Sequence, residues 1–154
     1  MAINWNELDK AIGIDSLINE EAENPGGDDY GDFPEVPNGT YDVEVNKMEI
    51  GKSKAGNPMA VIWFKVLAGE YKGSLIFMYQ VLTMRFHFGK VNKILRAMES
   101  GIPDDNIKIM PLKDYNNLML DIFEAVEGKL EYGLKYGEDS KGYNTFEITD
   151  VYEV

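Results

Sequence analysis

The feature that most constrains this chain is a hydrophobic pattern of period two that starts after its first quarter. Tyr41, Val43 and Val45 alternate with polar residues, which is typical of a strand with one buried face. Comparable runs follow at residues 59–67 and 74–82, and turns rich in Gly, Asn and Pro separate them. We therefore predict three antiparallel strands joined by hairpins.

The period then changes to that of helices. Apolar residues recur every three or four positions over residues 86–101 and again over 113–127. Two further strands are predicted at residues 129–136 and 143–154. Three strands, two helices and two strands is the order of an OB-fold, a mainly β, partly open five-stranded barrel that binds ligands across strands two and three. We predict this fold, with the two helices between strands three and four.

The first 37 residues are different in character. Trp5, Leu8 and Ile12 have helical spacing, and a stretch rich in Gly, Asp and Pro follows, which is typical of a linker. We predict an acidic N-terminal helix and linker at residues 1–37 and an OB-fold domain at residues 38–154.

Charge is distributed unevenly along the chain. The net charge of −12 alone argues against nucleic acid, since phosphate binding is driven by Lys and Arg. However, residues 1–35 carry −9, residues 36–98 carry +5 and residues 99–154 carry −8. The basic block coincides with the three predicted strands that would form the ligand face. Binding of an anionic polymer there is therefore compatible with the composition.

Enzymatic chemistry has little support in the sequence. There is no Cys, and His87 is the only His, so neither a metal-ligand set nor a nucleophile with a base is present. We expect His87 to be a structural or surface residue, and we expect no catalytic activity, no cofactor and no metal. The apolar runs are too short to span a bilayer, and the acidic start does not resemble a signal peptide. We therefore expect a cytoplasmic protein that does not enter a membrane.

Aromatic and basic residues are interleaved on the predicted ligand face. Binding of a single strand without sequence preference needs cations for the phosphates and flat side chains on which bases stack. An alternative is that the aromatic residues are ordinary core. We predict binding of single-stranded DNA through these candidates: Lys52, Lys54, Trp63, Lys65, Phe77, Tyr79 and Arg85.

Short motifs distributed over nearly the whole chain also resemble a known family. They are EVPNGTY at 35–41, KMEIGKSKAGNPM at 47–59, EYKG at 70–73, EYGLKYG at 131–137 and GYNTF at 142–146. The ordered set is similar to a phage-encoded family, long described only as a domain of unknown function, whose members are regarded as single-stranded DNA-binding proteins with an OB-fold. The resemblance implies a role in phage DNA replication or recombination, in the cytoplasm of the host cell. It implies no particular base-contacting residues.

Other functions remain open at this stage. The acidic N-terminal arm, residues 1–35, could compete with DNA for the basic face, recruit a replication or recombination protein, or act only as a solubilising tail. The whole chain could instead be an acidic protein-interaction module, or a DNA mimic that binds a host or phage protein. A nuclease is a more distant alternative. The sequence leaves oligomer formation open.

Overall fold

The structure, a computed structural model, describes residues 36–154. Its elements are the strands β1 (Gly39–Lys52), β2 (Pro58–Val66), β3 (Leu75–Val81), β4 (Leu130–Glu138) and β5 (Asn144–Glu153) and the helices α1 (Arg85–Ala97) and α2 (Leu112–Val126). The predicted order of five strands and two helices is confirmed, and a short 3-10 helix between α1 and α2 is an addition. The predicted N-terminal helix and the linker up to residue 35 lie outside the described residues.

The strands form one antiparallel sheet in the order β3-β2-β1-β4-β5. The long strand β1 holds the sheet together, because its first part pairs with β4 and its remainder pairs with β2. Within residues 36–154 no pairing joins β3 to β5, so the sheet is open at both edges. The mainly β class is thus confirmed, but a closed barrel is not what the strand pairing shows.

A bulge in β1 changes which side chains face the core. Val45 pairs with Phe64, but the next pair is Lys47 with Trp63, so Asn46 is the extra residue. Strict alternation from Val45 would direct Lys47 inward. The bulge instead turns Met48 into the core and Lys47 to the opposite face of the sheet.

The core lies between one face of the sheet and the two helices. Phe64 is fully buried, and its ring stacks on that of Phe146 with the centroids 6.4 Å apart, so β5 curls over the inner side of β2. The Tyr132 hydroxyl donates a hydrogen bond to the Met98 carbonyl at 2.8 Å, which ties the sheet to the end of α1. Burial also raises the pKa of Tyr132 far above its usual value.

Helix α1 ends earlier than the sequence suggests. It stops at Ala97 rather than near Gly101, and Glu99 has a positive φ of 52°, which no residue of a right-handed helix adopts. In the part of the chain that the structure describes, no helix is long and apolar enough to cross a bilayer.

Candidate nucleic-acid interface

Three aromatic residues lie on the face of the sheet that points away from the core. Trp63 alternates with the buried Ile62 and Phe64 along β2, and in register it pairs with Phe77 of β3. Tyr79 lies two residues further along β3. All three side chains are partly exposed, and none belongs to the core cluster. We call the side of β1, β2 and β3 that carries them the outer face.

The three rings contact one another in a defined arrangement. Trp63 meets Phe77 edge to face with centroids 5.3 Å apart, and Phe77 stacks on Tyr79 with centroids 6.0 Å apart. The Trp63 Nε1 donates a hydrogen bond to the Tyr79 hydroxyl at 3.2 Å. Such offset and edge contacts are favourable and fix the orientation of the rings. The result is a contiguous, preorganised aromatic surface.

Lys47 completes this surface, and the sequence reasoning missed it. Its Nζ lies 4.4 Å from the centre of the Trp63 ring, a cation–π contact. The same Nζ lies 3.7 Å from the carboxylate of Glu49, a solvent-exposed ion pair that stabilises by about 1 kcal/mol or less. Only the bulge brings Lys47 to the outer face, so simple alternation along β1 could not have found it.

Cations lie at both ends of the aromatic surface. Lys52 and Lys54 are exposed in the turn between β1 and β2, and Arg85 is exposed at the start of α1. The Leu82 N–H donates to the Pro58 carbonyl at 2.9 Å, so the segment that leads into α1 lies beside this turn. Lys65 is at the opposite end of β2, where it pairs with Leu75 and Glu44.

The turn that carries the two lysines is closed by backbone contacts. The Ser53 N–H donates to the Asn57 carbonyl at 2.9 Å, and the Gly56 N–H donates to the Ser53 carbonyl at 3.0 Å. Gly56 has a φ of +90°, which a residue with a side chain rarely adopts. This geometry holds Lys52 and Lys54 outward without using either of them in the turn.

The His87 side chain stabilises the start of α1. Its side chain is buried, and its Nδ1 accepts hydrogen bonds from the backbone N–H groups of Thr83 and Met84, both at 3.2 Å. It thereby satisfies donors at the start of α1 and fixes the point from which Arg85 projects. Among residues 36–154, no group of three or more His, Cys, Asp and Glu is arranged to hold a metal ion.

The structure brings only part of the predicted set into contact. Trp63, Phe77 and Tyr79 touch each other, while the predicted cations lie at the two ends of the strands that carry them.

Residues 26–101 match the model of a family described as a protein of unknown function (DUF669). The DUF669 match spans β1, β2, β3 and α1 and so includes every residue of the outer face described above. A comparison with curated proteins gave no match. The similarity to DUF669 therefore carries no function of its own, but it covers the same part of the chain as the candidate interface.

Proposed function

We propose that this protein binds single-stranded DNA on the outer face, with little sequence preference. The observation that carries the proposal is the contiguous aromatic surface of Trp63, Phe77 and Tyr79 on the side of the sheet opposite the core. A soluble protein gains little from partly exposed aromatic rings unless they meet a ligand. Bases are suitable ligands because each has a π-face, and stacking on an aromatic side chain contributes roughly 1–3 kcal/mol per base.

The positions of the cations support a strand that runs along β2. Lys52, Lys54 and Arg85 would contact phosphates at one end, Lys65 would do so at the other, and the rings lie between. The nine residues of β2 span roughly 30 Å at about 3.3 Å each, which is enough for several nucleotides. Backbone contacts of this kind do not read sequence, and they make affinity strongly dependent on salt.

We also propose that the sheet is an OB-fold in its partly open form. Strand β1 pairs on both sides, β5 curls over β2 through Phe64 and Phe146, and the helices connect β3 to β4. In OB-folds the ligand lies on the face of strands two and three between the β1–β2 and β4–β5 turns. The aromatic surface lies on the same two strands, which supports this proposal. With the motif resemblance, this supports a role in phage replication or recombination in the host cytoplasm.

The rival proposal is an acidic interaction module or DNA mimic. It is favoured by the C-terminal part of the sheet, where β5 exposes Glu147, Asp150 and Glu153. Such a surface would bind a basic protein and repel DNA. This rival predicts that the chain retains no single-stranded DNA at any salt concentration.

Fluorescence anisotropy with labelled oligo-dT, a duplex of the same length and an RNA oligonucleotide separates the two proposals. We expect tight binding of the single strand at low salt, with a log–log salt slope of about −0.7 for each phosphate contacted. Absence of binding, or an affinity that does not change with salt, would contradict the proposal.

The acidic N-terminal arm is tested by its deletion. If residues 1–35, with their charge of −9, compete with DNA for the outer face, removing them strengthens oligo-dT binding. If the arm recruits a replication or recombination protein, or only aids solubility, the affinity for oligo-dT stays the same.

A further inference from the structure

Helix α1 carries an excess of positive charge that the stability of the helix does not require. Its 13 residues contain Arg85, Lys90, Lys93 and Arg96 and no acid, in a chain with a net charge of −12. Lys90 and Lys93, one turn apart, repel each other, and like charges at this spacing destabilise a helix. A helix face that served only solubility would mix both signs. This face therefore indicates an anionic ligand.

Of these four cations, only Arg96 makes a hydrogen bond to another part of the described chain. Arg96 donates through Nη2 to the Ile107 carbonyl and so holds the loop after α1. Arg85, Lys90 and Lys93 are exposed, and among the described residues none of them lies within 4.0 Å of a carboxylate. Asp139 in the β4–β5 turn is close enough to Lys90 for the two charges to interact. However, its carboxylate already accepts the N–H groups of Lys141 and Tyr143.

An exposed aromatic ring and an exposed glycine lie on the same face. Phe86 is 54% exposed, and the Lys90 Nζ lies 5.6 Å from its ring centre. Gly89 is in the middle of the helix, where glycine lowers helix stability relative to alanine. A Cβ built there would meet no atom within 4 Å, so the packing of this fold does not require glycine. A glycine at such a place leaves room for close approach of a ligand.

Helix α1 follows the outer face closely along the chain, although it packs on the core side of the sheet. Tyr79 is near the end of β3, and α1 begins six residues later with Arg85. The bond from the Leu82 N–H to the Pro58 carbonyl holds the intervening segment against the start of β2. A DNA strand that leaves the aromatic surface would therefore pass the end of the sheet at Leu82 and Arg85 before it reaches α1.

We propose that a DNA strand bound on the outer face continues along α1, where Lys90 and Lys93 contact its phosphates and Phe86 stacks on a base. Gly89 lets the sugar–phosphate backbone approach the helix. This inference rests on the proposed function, because it extends the same strand beyond the sheet. It makes the total site longer than the sheet alone provides.

The test compares oligo-dT of about 5 nucleotides, near the lower end of the roughly 4–16 nucleotides that one OB-fold occupies, with oligo-dT of about 25 nucleotides, which exceeds the upper end. In Lys90→Glu/Lys93→Glu we expect binding of the long oligonucleotide to weaken at least tenfold, while the short one changes less than twofold. The salt slope for the long oligonucleotide should become shallower by about 1.4, because two phosphate contacts are lost. The matched control is Lys129→Glu/Lys135→Glu, two exposed lysines of which the first directly precedes β4 and the second lies within it.

Gly89→Gln provides a second readout that a purely structural role would not produce. Gln favours helix over Gly, so the melting temperature should rise. Affinity for the long oligonucleotide should nevertheless fall several-fold, because the side chain fills the space above the helix.

The outcomes separate the two proposals. If the wild-type protein binds neither oligonucleotide, the proposed function fails. If it binds both and the α1 variants match it on the long one, only the extension along α1 is overturned. Stronger binding by Lys90→Glu/Lys93→Glu would overturn it too, because it would show that α1 holds the acidic arm rather than DNA.

Discussion

The two halves of the sheet share one core but present opposite surfaces. The outer face of β1, β2 and β3 has a contiguous aromatic surface with lysines around it. On the same side of β4 and β5 the exposed residues are mainly Thr, Glu and Asp, with Lys135 and Tyr152 among them. Residues 39–81, which contain β1, β2 and β3, hold five bases and four acids, whereas residues 130–153, which contain β4 and β5, hold two bases and six acids. Folding does not need this separation, which supports our proposal that a ligand binds the first half.

We expect the largest difference in DNA affinity between two aromatic substitutions, one in each half of the sheet. Trp63→Ala should weaken oligo-dT binding about 5- to 150-fold, the equivalent of losing roughly 1–3 kcal/mol of base stacking. Tyr152→Ala removes a ring that is 45% exposed in acidic surroundings and should leave the affinity unchanged. Anisotropy titrations of both variants, with far-UV circular dichroism to confirm folding, make this comparison. Equal losses in the two variants would abolish the distinction between the halves.

A smaller effect is expected from the turn lysines. Lys52→Glu/Lys54→Glu should weaken oligo-dT binding about tenfold and make the log–log salt slope shallower by about 1.4, because two phosphate contacts disappear. The slope is the sharper measurement, since a general loss of folded protein would not change it. Lys129→Glu/Lys135→Glu alters the net charge equally in the acidic half. If it matched the turn variant, net charge rather than position would control binding.

The smallest effect concerns how the two hairpin turns respond to acid. Equivalent backbone bonds close both turns, but the side chain that accepts further N–H groups is the neutral Ser53 hydroxyl in the β1–β2 turn and the Asp139 carboxylate in the β4–β5 turn. The Tyr143 N–H is the main cause that lowers the pKa of Asp139 below its usual value, and the Lys141 N–H adds to it. A lowered folded-state pKa gives stability that is present above about pH 3.9 and is lost as the pH falls through the folded-state value.

The amide chemical shifts of Lys141 and Tyr143 should therefore move together below about pH 4, while those of Ser53 and Gly56 stay constant. Asp139→Asn keeps an acceptor oxygen but removes the charge, so its amide shifts at these positions should no longer depend on pH. Identical acid responses of the two turns in the wild-type protein would show that Asp139 does not stabilise its turn as a carboxylate.

The sequence predicted the strands to within a few residues because hydrophobic alternation is a local signal. It also predicted that Trp63 and Lys65 lie on one face of β2 and that Phe64 and Val66 lie on the other, and the structure confirms this. It could not place Lys47, because the bulge at Asn46 is set by pairing with β2, and an alternation count assumes no bulge. The early end of α1 was also beyond the sequence, since the positive φ that follows the helix occurs first at Glu99, a non-glycine residue two positions before Gly101.

The sequence also could not predict which distant segments lie side by side, because such contacts are set by the folded sheet and not by a local pattern. That the segment before α1 lies beside the lysine turn depends on one bond between Leu82 and Pro58, residues 24 positions apart. Whether β3 pairs with β5 depends on how far the sheet curls, and no residue pattern encodes that curvature directly. The aromatic candidates were recognisable by type, but only the register shows that their rings touch.

The most direct test of the central claim follows the fluorescence of Trp63 itself. The chain contains two Trp, so Trp5→Phe leaves Trp63 as the only one. We predict that oligo-dT quenches its emission to a saturable end point at low salt, and that added salt restores the emission as labelled oligonucleotide is released. Binding of labelled oligo-dT without any change in Trp63 emission would contradict the claim that the outer face holds the DNA.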